Sequence, residues 1–275
     1  MANGQEHVVQ LDRISVTVVP FGGIVLGKLF FMIYLLPALF YWDISMKLRD
    51  AVSRRWARRY LNRRLPEWCR QLLNMAKLCT GFTVKFDRDV EGPLSGPVLV
   101  VSNHQSLIDI VAVRAALPEL NIRFVAKAEL RSWFPGVSQA LRLQQHALVP
   151  RSGNVEGGLA ELRRIARMAK TENVCPVVFP EGTRSRTADV LKFRTGAVRI
   201  VLNEQSMPIL VTAVHGGYRL RTLRMVAKNF GSTIYHLSIL DQLPAPNTRA
   251  ELNEYIAKAE DMIRDRVKQW DAEDR

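Results

Sequence analysis

A stretch of 27 residues near the start of the chain, residues 16–42, contains Lys28 as its only charged side chain. Within it, residues 24–42 form a 19-residue window that, as a helix rising ~1.5 Å per residue, nearly matches the ~30 Å hydrocarbon core of a bilayer. Lys28 falls near one end, where its stem reaches the headgroups, and three aromatic residues at 40–42 close the other end as an aromatic belt. The pattern predicts that residues 16–42 anchor the chain to a membrane.

The geometry of this anchor has two main interpretations. Pro20, Gly22, Gly23, Gly27 and Pro37 interrupt the apolar run, so a shallow helical hairpin within one leaflet competes with a full span. A core helix of a soluble domain is the third interpretation. A cleaved signal peptide is disfavoured, because no small-residue cleavage site follows the apolar run.

Residues 43–80 hold ten basic and three acidic residues, which is +7 of the formal net charge of +13. Because such a basic block stays on the cytoplasmic side, it predicts attachment at the cytoplasmic face of the inner membrane. Apolar residues recur through it at helical spacing, at Leu48, Val52, Trp56 and Tyr60. A stripe beside arginines favours anionic membrane lipid as a partner, with a solvated helix face as the alternative. Nucleic acid is not expected, because no recognisable binding module surrounds the aromatic residues.

Past Gly81 short apolar runs, several rich in Val and Ile, alternate with helical stretches. We predict strands at residues 83–86, 98–101, 122–126, 147–149, 174–179, 209–214 and 233–240. We predict helices at residues 107–117, 155–170, 196–203 and 249–270, the last opened by Thr248 and Glu251 at capping-box spacing. This alternation indicates an α/β fold, a single domain with a mostly parallel sheet flanked by helices. The predicted division is residues 1–80 for the membrane anchor and basic helical block and residues 81–275 for the α/β domain.

The cysteines and histidines limit the other kinds of site. Cys69, Cys79 and Cys175 include no CxxC pair, which excludes a disulfide scaffold and a four-cysteine zinc site and indicates a reducing compartment. The histidines are scattered, with no second His or Cys at ligand spacing, so no metal site is predicted.

The buried strand predicted at residues 98–101 leads into the polar turn and helix that carry His104 and Asp109. Open α/β sheets place ligands at the carboxyl ends of such strands. A direct contact between His104 and Asp109 requires the histidine to lie in the turn, because five residues on a regular helix set two side chains about 140° apart. An imidazole held by a carboxylate suits proton abstraction from a hydroxyl. A capped core histidine and half of a metal site are the alternatives.

A second polar turn follows the apolar run at residues 174–179 and reads PEGTRSR from Pro180 to Arg186. Proline and glycine enforce the turn, Thr183 and Ser185 supply hydroxyls, and Arg184 and Arg186 supply guanidinium groups suited to phosphate. The pattern favours an anion-binding turn that also contains a carboxylate. An ordinary strand-to-helix turn with surface arginines is the alternative.

The two turns together resemble the glycerolipid acyltransferase family. Residues 103–109 fit its NHxxxxD motif, and residues 179–184 match its FPEGTR block at every position. Residues 149–151, 192–197 and 208–210 are similar to further blocks of the family, although Val211 stands where a proline is usual and residues 215–218 are unusual. The apolar and basic leader is also similar in kind to the front of the 1-acylglycerol-3-phosphate acyltransferases.

The resemblance implies an enzyme in which His104 deprotonates a lysolipid hydroxyl and Asp109 orients His104. The alkoxide would attack the thioester of acyl-CoA or acyl-carrier protein, which are co-substrates, with no other cofactor. The residues implied to hold the glycerol-phosphate end of the acceptor are Arg151, Glu181, Gly182, Thr183 and Arg184. Lys127 is implied to assist in the same region.

The expected reaction is the conversion of lysophosphatidate to phosphatidate in phospholipid biosynthesis. Another lysolipid acceptor, such as a lysophospholipid or a lyso-ornithine lipid, is the alternative within the same class. A thioester hydrolase is the rival enzyme, and a non-catalytic membrane-binding protein is the rival from another class. The sequence lacks the GxSxG motif of serine hydrolases.

Overall fold

The computed structural model describes residues 21–127, 135–149 and 155–274. Strands form at all seven predicted positions. They are β1 (Thr83–Arg88), β2 (Leu99–Ser102), β3 (Ile122–Lys127), β4 (Ala147–Val149), β5 (Cys175–Val178), β6 (Ile209–His215) and β7 (Ile234–Leu243).

The helices of the described residues are α1 (Phe21–Val52), α2 (Arg54–Thr80), α3 (Ile108–Ala116), α4 (Val137–Gln144), α5 (Val155–Glu172), α6 (Gly196–Glu204), α7 (Leu223–Asn229) and α8 (Arg249–Glu273). The predicted cap of α8 is present, because the Thr248 hydroxyl accepts from the Glu251 backbone N–H at 3.1 Å. Helices α4 and α7 were not predicted. Both are short, and α4 is held by packing between Leu143 and the buried Met46 and Trp68, which no local pattern reveals.

All seven strands join one sheet in the order β1-β7-β6-β2-β5-β3-β4. Neighbouring strands pair in parallel except β6 and β7, which are antiparallel, so β1 and β7 run opposite to the other five. The predicted fold class, α/β with a mostly parallel sheet flanked by helices, is confirmed. The carboxyl ends of β2, β5 and β6 consequently meet at one edge of the sheet.

Each face of the sheet is covered by its own set of helices. Leu99 and Val101 of β2 pack in a core formed with α5, α6 and α8, whereas Val100 packs in a second core with α1, α2 and α3. This alternation follows from the strand, since successive side chains point to opposite faces. Because both faces are buried, β2 reads as a continuous apolar run and not as an alternating one.

The N-terminal helices α1 and α2 form an antiparallel pair. Trp42 stacks on Trp68 with ring centroids 5.0 Å apart, and the Arg49 guanidinium lies 3.9 Å from the Tyr60 ring centroid. Toward the other end, Gly27 lies directly against the Cys79 carbonyl, where a side chain has no room. The two helices are therefore in contact along most of their length.

Two sequence interpretations of this region change. Helix α1 is continuous through Pro37, and residues 16–20 lie outside the described residues. The prediction of one helical stripe across residues 48–60 is wrong, because Ser53 is extended and its hydroxyl caps α2 by accepting from the Trp56 N–H. Residues Leu26–Val52 form the one described helix that is long and apolar enough to cross a membrane.

Candidate active site

His104 and Asp109 are in direct contact at the carboxyl end of β2. The strand ends at Ser102 and α3 begins at Ile108, so His104 lies in the intervening turn. His104 Nδ1 and Asp109 Oδ2 are 2.7 Å apart. The carboxylate is fully buried, whereas the imidazole keeps 16% of its side-chain surface exposed. With Nδ1 donating to the carboxylate, Nε2 is the nitrogen left to act as a base.

Five donors fix the orientation of the Asp109 carboxylate. Besides His104, its Oδ2 accepts from the backbone N–H groups of Gln105 and Ser106, at 2.6 and 2.8 Å. Its Oδ1 accepts from the Tyr235 hydroxyl at 2.8 Å and from the Ser106 hydroxyl at 3.3 Å. Burial and the charge of Asp109 raise the pKa of Tyr235 well above its usual value, so this hydroxyl remains a donor.

Two further contacts hold the imidazole and its turn. The His104 ring stacks on Phe179, with centroids 4.2 Å apart and planes 17° from parallel. Asn103 makes two hydrogen bonds with the Val214 backbone, donating to its carbonyl and accepting from its N–H, both at 2.8 Å. The Asn103 amide therefore ties the turn after β2 to β6, and Phe179 covers one face of the imidazole.

Glu181 joins the turn after β5 to the turn after β2. Its side chain is 1% exposed, and its two oxygens accept from the backbone N–H groups of His104 at 2.7 Å and Leu191 at 3.1 Å. Burial raises the pKa of Glu181 to about 7, against the opposing effect of these hydrogen bonds. The Glu181 carboxylate, which was predicted to hold the acceptor, thus accepts hydrogen bonds from the backbone of His104 and Leu191.

The middle of the turn after β5 is open to solvent, whereas Pro180 and Ser185 at its two ends are buried. Gly182 and Thr183 are exposed, and Gly182 has a φ of 67°, a value that suits glycine. Arg184 is half-buried, and its Nη1 donates to the Arg221 carbonyl at 3.3 Å. An exposed turn beside a half-buried guanidinium offers a place for an anionic group next to His104.

Lys127 and Arg151 are the two remaining basic residues that were predicted for the site. Lys127 is the last residue of β3, and its backbone pairs with Val149 of β4. Arg151 lies outside the described residues. Within residues 21–127, 135–149 and 155–274, no group of three or more His, Cys, Asp or Glu side chains is arranged to hold a metal ion.

Sequence reasoning missed Tyr235 and Gly217 as parts of the site. Tyr235 is 126 residues from Asp109, and Gly217 is packed so closely that a Cβ there would lie 3.0 Å from Asp109 Oδ1. The unusual residues 215–218 were the only signal for the second position. Nothing local marked Tyr235, because its role depends on the antiparallel placement of β7.

The comparisons with known proteins agree with one another, because each of them finds acyltransferases. Residues 82–215 match the family model described as Acyltransferase. The 1-acyl-sn-glycerol-3-phosphate acyltransferase of Cocos nucifera is 31% identical over 129 residues, which is 46% of this chain and 41% of that protein. The alpha form from Mus musculus is 29% identical over 160 residues, 58% of this chain and 55% of that protein. The chain thus spans about half the length of the curated relatives it matches.

A solved structure extends the likeness beyond the matched segment. The crystal structure of the 1-acyl-sn-glycerophosphate (LPA) acyltransferase PlsC from Thermotoga maritima superposes with a TM-score of 0.67. It covers 90% of this chain and 96% of its own, at 24% sequence identity. At that identity the likeness establishes the shared fold.

Proposed function

Because residues 82–215 match the family model described as Acyltransferase, we propose that this chain transfers an acyl group to the free hydroxyl of lysophosphatidate and so makes phosphatidate. The donor is a thioester, either acyl-CoA or acyl-carrier protein. The observation that carries the proposal is the 2.7 Å contact between His104 Nδ1 and Asp109 Oδ2, beside the turn that bears Arg184.

His104 is the general base. Its Nε2 takes the proton of the acceptor hydroxyl while Asp109 stabilises the imidazolium that forms. The resulting alkoxide oxygen attacks the thioester carbonyl carbon, the tetrahedral intermediate collapses, and the carbon–sulfur bond breaks. The imidazolium then returns its proton to the departing thiolate, so no covalent acyl-enzyme forms. Stacking on Phe179 and the bond to Asp109 keep the ring in position for both proton transfers.

Arg184 and the exposed backbone at Gly182 and Thr183 bind the phosphate of the acceptor. A guanidinium offers a planar set of donors that matches phosphate oxygens, and the turn leaves space above it. From the resemblance of the sequence to the family, we also assign Lys127 and Arg151 to the binding of this phosphate. Glu181 acts as a positioning residue, because its carboxylate fixes the distance between this turn and His104.

The reaction is tested with the purified full-length chain in a non-ionic detergent, supplied with lysophosphatidate and isotope-labelled acyl-CoA. We expect labelled phosphatidate, identified by mass, and no labelled product when lysophosphatidate is omitted. Release of labelled free fatty acid at the same rate with and without the acceptor would show that the chain is a thioester hydrolase and not an acyltransferase. No turnover of either substrate would favour a membrane-binding protein without catalysis.

We further propose that α1 lies in the plane of the cytoplasmic leaflet of the inner membrane. Eleven large apolar side chains of α1 are exposed; they are Leu26, Leu29, Phe30, Met32, Ile33, Leu36, Phe40, Tyr41, Ile44, Leu48 and Val52. The antiparallel α2 beside it exposes Arg54, Arg55, Arg59, Arg63, Arg64 and Arg70. Trp42 lies against Trp68 and Gly27 against Cys79, so residues 68–79 of α2 run beside residues 27–42 of α1. A spanning α1 would therefore carry the exposed Arg70 and Lys77 into hydrocarbon, at roughly 2.5–3.5 kcal/mol each. An in-plane helix buries the apolar side chains and leaves the arginines among anionic headgroups.

The membrane proposal predicts that Ile33→Asp with Leu36→Asp weakens binding to vesicles of phosphatidylcholine and phosphatidylglycerol at least tenfold. Both side chains are more than half exposed, and each contributes about 1.5–3 kcal/mol when buried in lipid. The measurement is flotation of the full chain with the vesicles. Val155→Asp is the matched control, because Val155 is 77% exposed on α5. If the double variant and Val155→Asp float with the vesicles to the same extent, α1 is not the membrane anchor.

A further inference from the structure

A cavity of about 400 Å³ lies at the carboxyl end of β6, apart from the exposed turn at Gly182 and Thr183. Three parts of the chain form its walls. They are the segment after the second motif, including Arg186 and Ala188, the segment after β6, including Tyr218 and Arg219, and the end of α8. The reaction described above uses none of these side chains.

The cavity adjoins the catalytic pair through Gln105. The Gln105 side chain donates to the Ala188 carbonyl and accepts from the Tyr218 N–H, each at 3.4 Å, and both partners line the cavity. The Gln105 backbone N–H donates to Asp109 Oδ2 at 2.6 Å. A single residue therefore separates the cavity from the carboxylate that orients His104, so the cavity is the immediate neighbour of this pair.

Hydrogen-bond acceptors are concentrated on one side of the cavity. His215 Nε2 lies 4.0 Å from Asp271 Oδ1 and 3.9 Å from Asp274 Oδ2. His215 is 1% exposed, and its Nδ1 has no hydrogen-bond partner among the described residues. Burial, reinforced by the charge of His236, lowers the pKa of His215 and keeps the ring neutral. Two carboxylates and a neutral imidazole suit an ammonium group, which has three donors and no acceptor.

The same cavity also carries positive charge, from Arg186 and Arg219. A headgroup with a single phosphate would complement the arginines and leave the two carboxylates facing an anion. A headgroup with both an anion and an ammonium complements both sets of side chains. The lining therefore matches a zwitterion better than a simple anion.

The cavity wall is connected to the helix that we place in the lipid. The Asn229 side chain donates to the Arg219 carbonyl at 2.9 Å, and Lys28 of α1 donates to the Lys228 carbonyl at 3.3 Å. Helix α7 thus links the cavity to the start of α1, which places the cavity within reach of a lipid headgroup and not only of soluble metabolites.

We propose that this cavity binds the headgroup of a zwitterionic lysolipid acceptor, with a primary ammonium against Asp271 and Asp274 and with the single phosphate shared between Arg184 and the arginines of the cavity wall. The proposal deepens the acyltransferase function and rests on it. It makes an amine-bearing lysolipid a substrate in its own right and assigns acceptor selectivity to the end of α8.

The test measures acyl transfer by the full chain to three acceptors of the same acyl length, which are lysophosphatidate, lysophosphatidylethanolamine and lysophosphatidylglycerol. We expect kcat/KM for the ethanolamine lipid to exceed that for the glycerol lipid at least tenfold, because only the first carries an ammonium. In Asp271→Asn we expect this ratio to fall several-fold, and in the double variant with Asp274→Asn about tenfold. Asp261→Asn, at an exposed position of α8, is the matched control and should keep the wild-type ratio.

The headgroup proposal would be overturned by a wild-type ratio of kcat/KM values near one, or by the same ratio in Asp271→Asn as in Asp261→Asn. Transfer to lysophosphatidate would in that case still support the acyltransferase function. Absence of transfer to all three acceptors would overturn the proposed function and this inference with it. Because Asp274 also contacts His236 at 3.1 Å, the double variant is compared only where its melting temperature matches that of the control. The wild-type ratio and Asp271→Asn decide the question without it.

Discussion

The turns after β2 and β5 follow neighbouring parallel strands, yet they differ in how firmly they are held. In the first, Asn103, Gln105 and Ser106 are completely buried, and their polar groups are hydrogen-bonded to β6 and to the Asp109 carboxylate. In the second, Gly182 and Thr183 are exposed. The difference separates two tasks, because proton transfer requires a preset geometry whereas a substrate has to enter and leave.

Two contacts connect these turns. Glu181 accepts from the His104 N–H at 2.7 Å, and the Ser185 N–H donates to the His104 carbonyl at 2.8 Å. Both contacts are made with the backbone of His104. The turn after β5 therefore holds the backbone of the turn after β2 in place through Glu181 and Ser185.

The strongest test of the comparison is His104→Ala, which should lower kcat/KM for acyl transfer about 10³-fold or more, since general-base catalysis contributes about 10²–10⁴. Melting temperature and flotation with vesicles should match the wild type, because the imidazole is partly exposed and belongs to neither hydrophobic core. If kcat/KM of His104→Ala stays within tenfold of the wild-type value, His104 is not the general base.

Glu181→Gln tests the link between the turns through the pH dependence of stability. The folded-state pKa of about 7 lies above the ordinary value of 4.5, so the native state binds more protons between these values. The contribution to the free energy of unfolding is full below pH 4.5 and is lost as pH rises to 7, by an amount on the order of 3 kcal/mol. The glutamine variant should lack this slope.

This slope is measured as the difference in unfolding free energy between wild type and variant, by urea titration at several pH values. Glu254→Gln, at an exposed position of α8, provides the control. A difference that stays constant from pH 4 to 8 would show that Glu181 does not titrate in the folded state in this range.

Arg184→Ala should raise KM for lysophosphatidate about tenfold and change KM for the thioester less than twofold. A hydrogen bond to a charged group contributes about 1.5–3 kcal/mol, and the open turn retains its other donors. Initial rates with each substrate varied in turn separate the two constants. Arg249→Ala removes the same charge from an exposed position and serves as the control. Equal increases for both substrates would argue against a phosphate site at Arg184.

Tyr235→Phe should have the smallest effect, lowering kcat about fivefold. Loss of its hydroxyl leaves Asp109 with four donors, so the carboxylate that orients His104 is held less firmly. KM for both substrates should stay within twofold, because Tyr235 is completely buried. Tyr255→Phe is the control on α8. A kcat equal to that of the control, with only a lower melting temperature, would reduce Tyr235 to a packing role.

Much of the fold followed from local patterns. Strands buried on both faces are recognisable as short Val- and Ile-rich runs, and Thr248 with Glu251 marked the start of α8 correctly. The break at Ser53 was not predicted, because the apolar spacing of residues 48–60 continues across it. Helix α4 was missed because its stability depends on Leu143 packing against α1 and α2.

The candidate site, like the fold, could be predicted from the sequence only in part. The contact between His104 and Asp109 was anticipated because both residues lie in one short segment and the chemistry requires them together. The engagement of Glu181 with backbone N–H groups could not be predicted, since it depends on how two turns far apart in sequence are set against each other. Which turns lie close together depends on the order of the strands in the sheet. The hydrophobic periodicity of the sequence does not reveal that order.

The reversed direction of β7 has a consequence for how such a chain can diversify. The segment between β6 and β7 leaves the sheet beside Asp109 at Gly217 and re-enters it beside Asp109 at Tyr235. Its start packs against that carboxylate and its end donates a hydrogen bond to it, while Tyr218 and Arg219, just after Gly217, form part of the wall of the neighbouring cavity. Residues between Gly217 and Tyr235 can therefore be exchanged, and the lining of the cavity altered, while the contacts of Asp109 are kept.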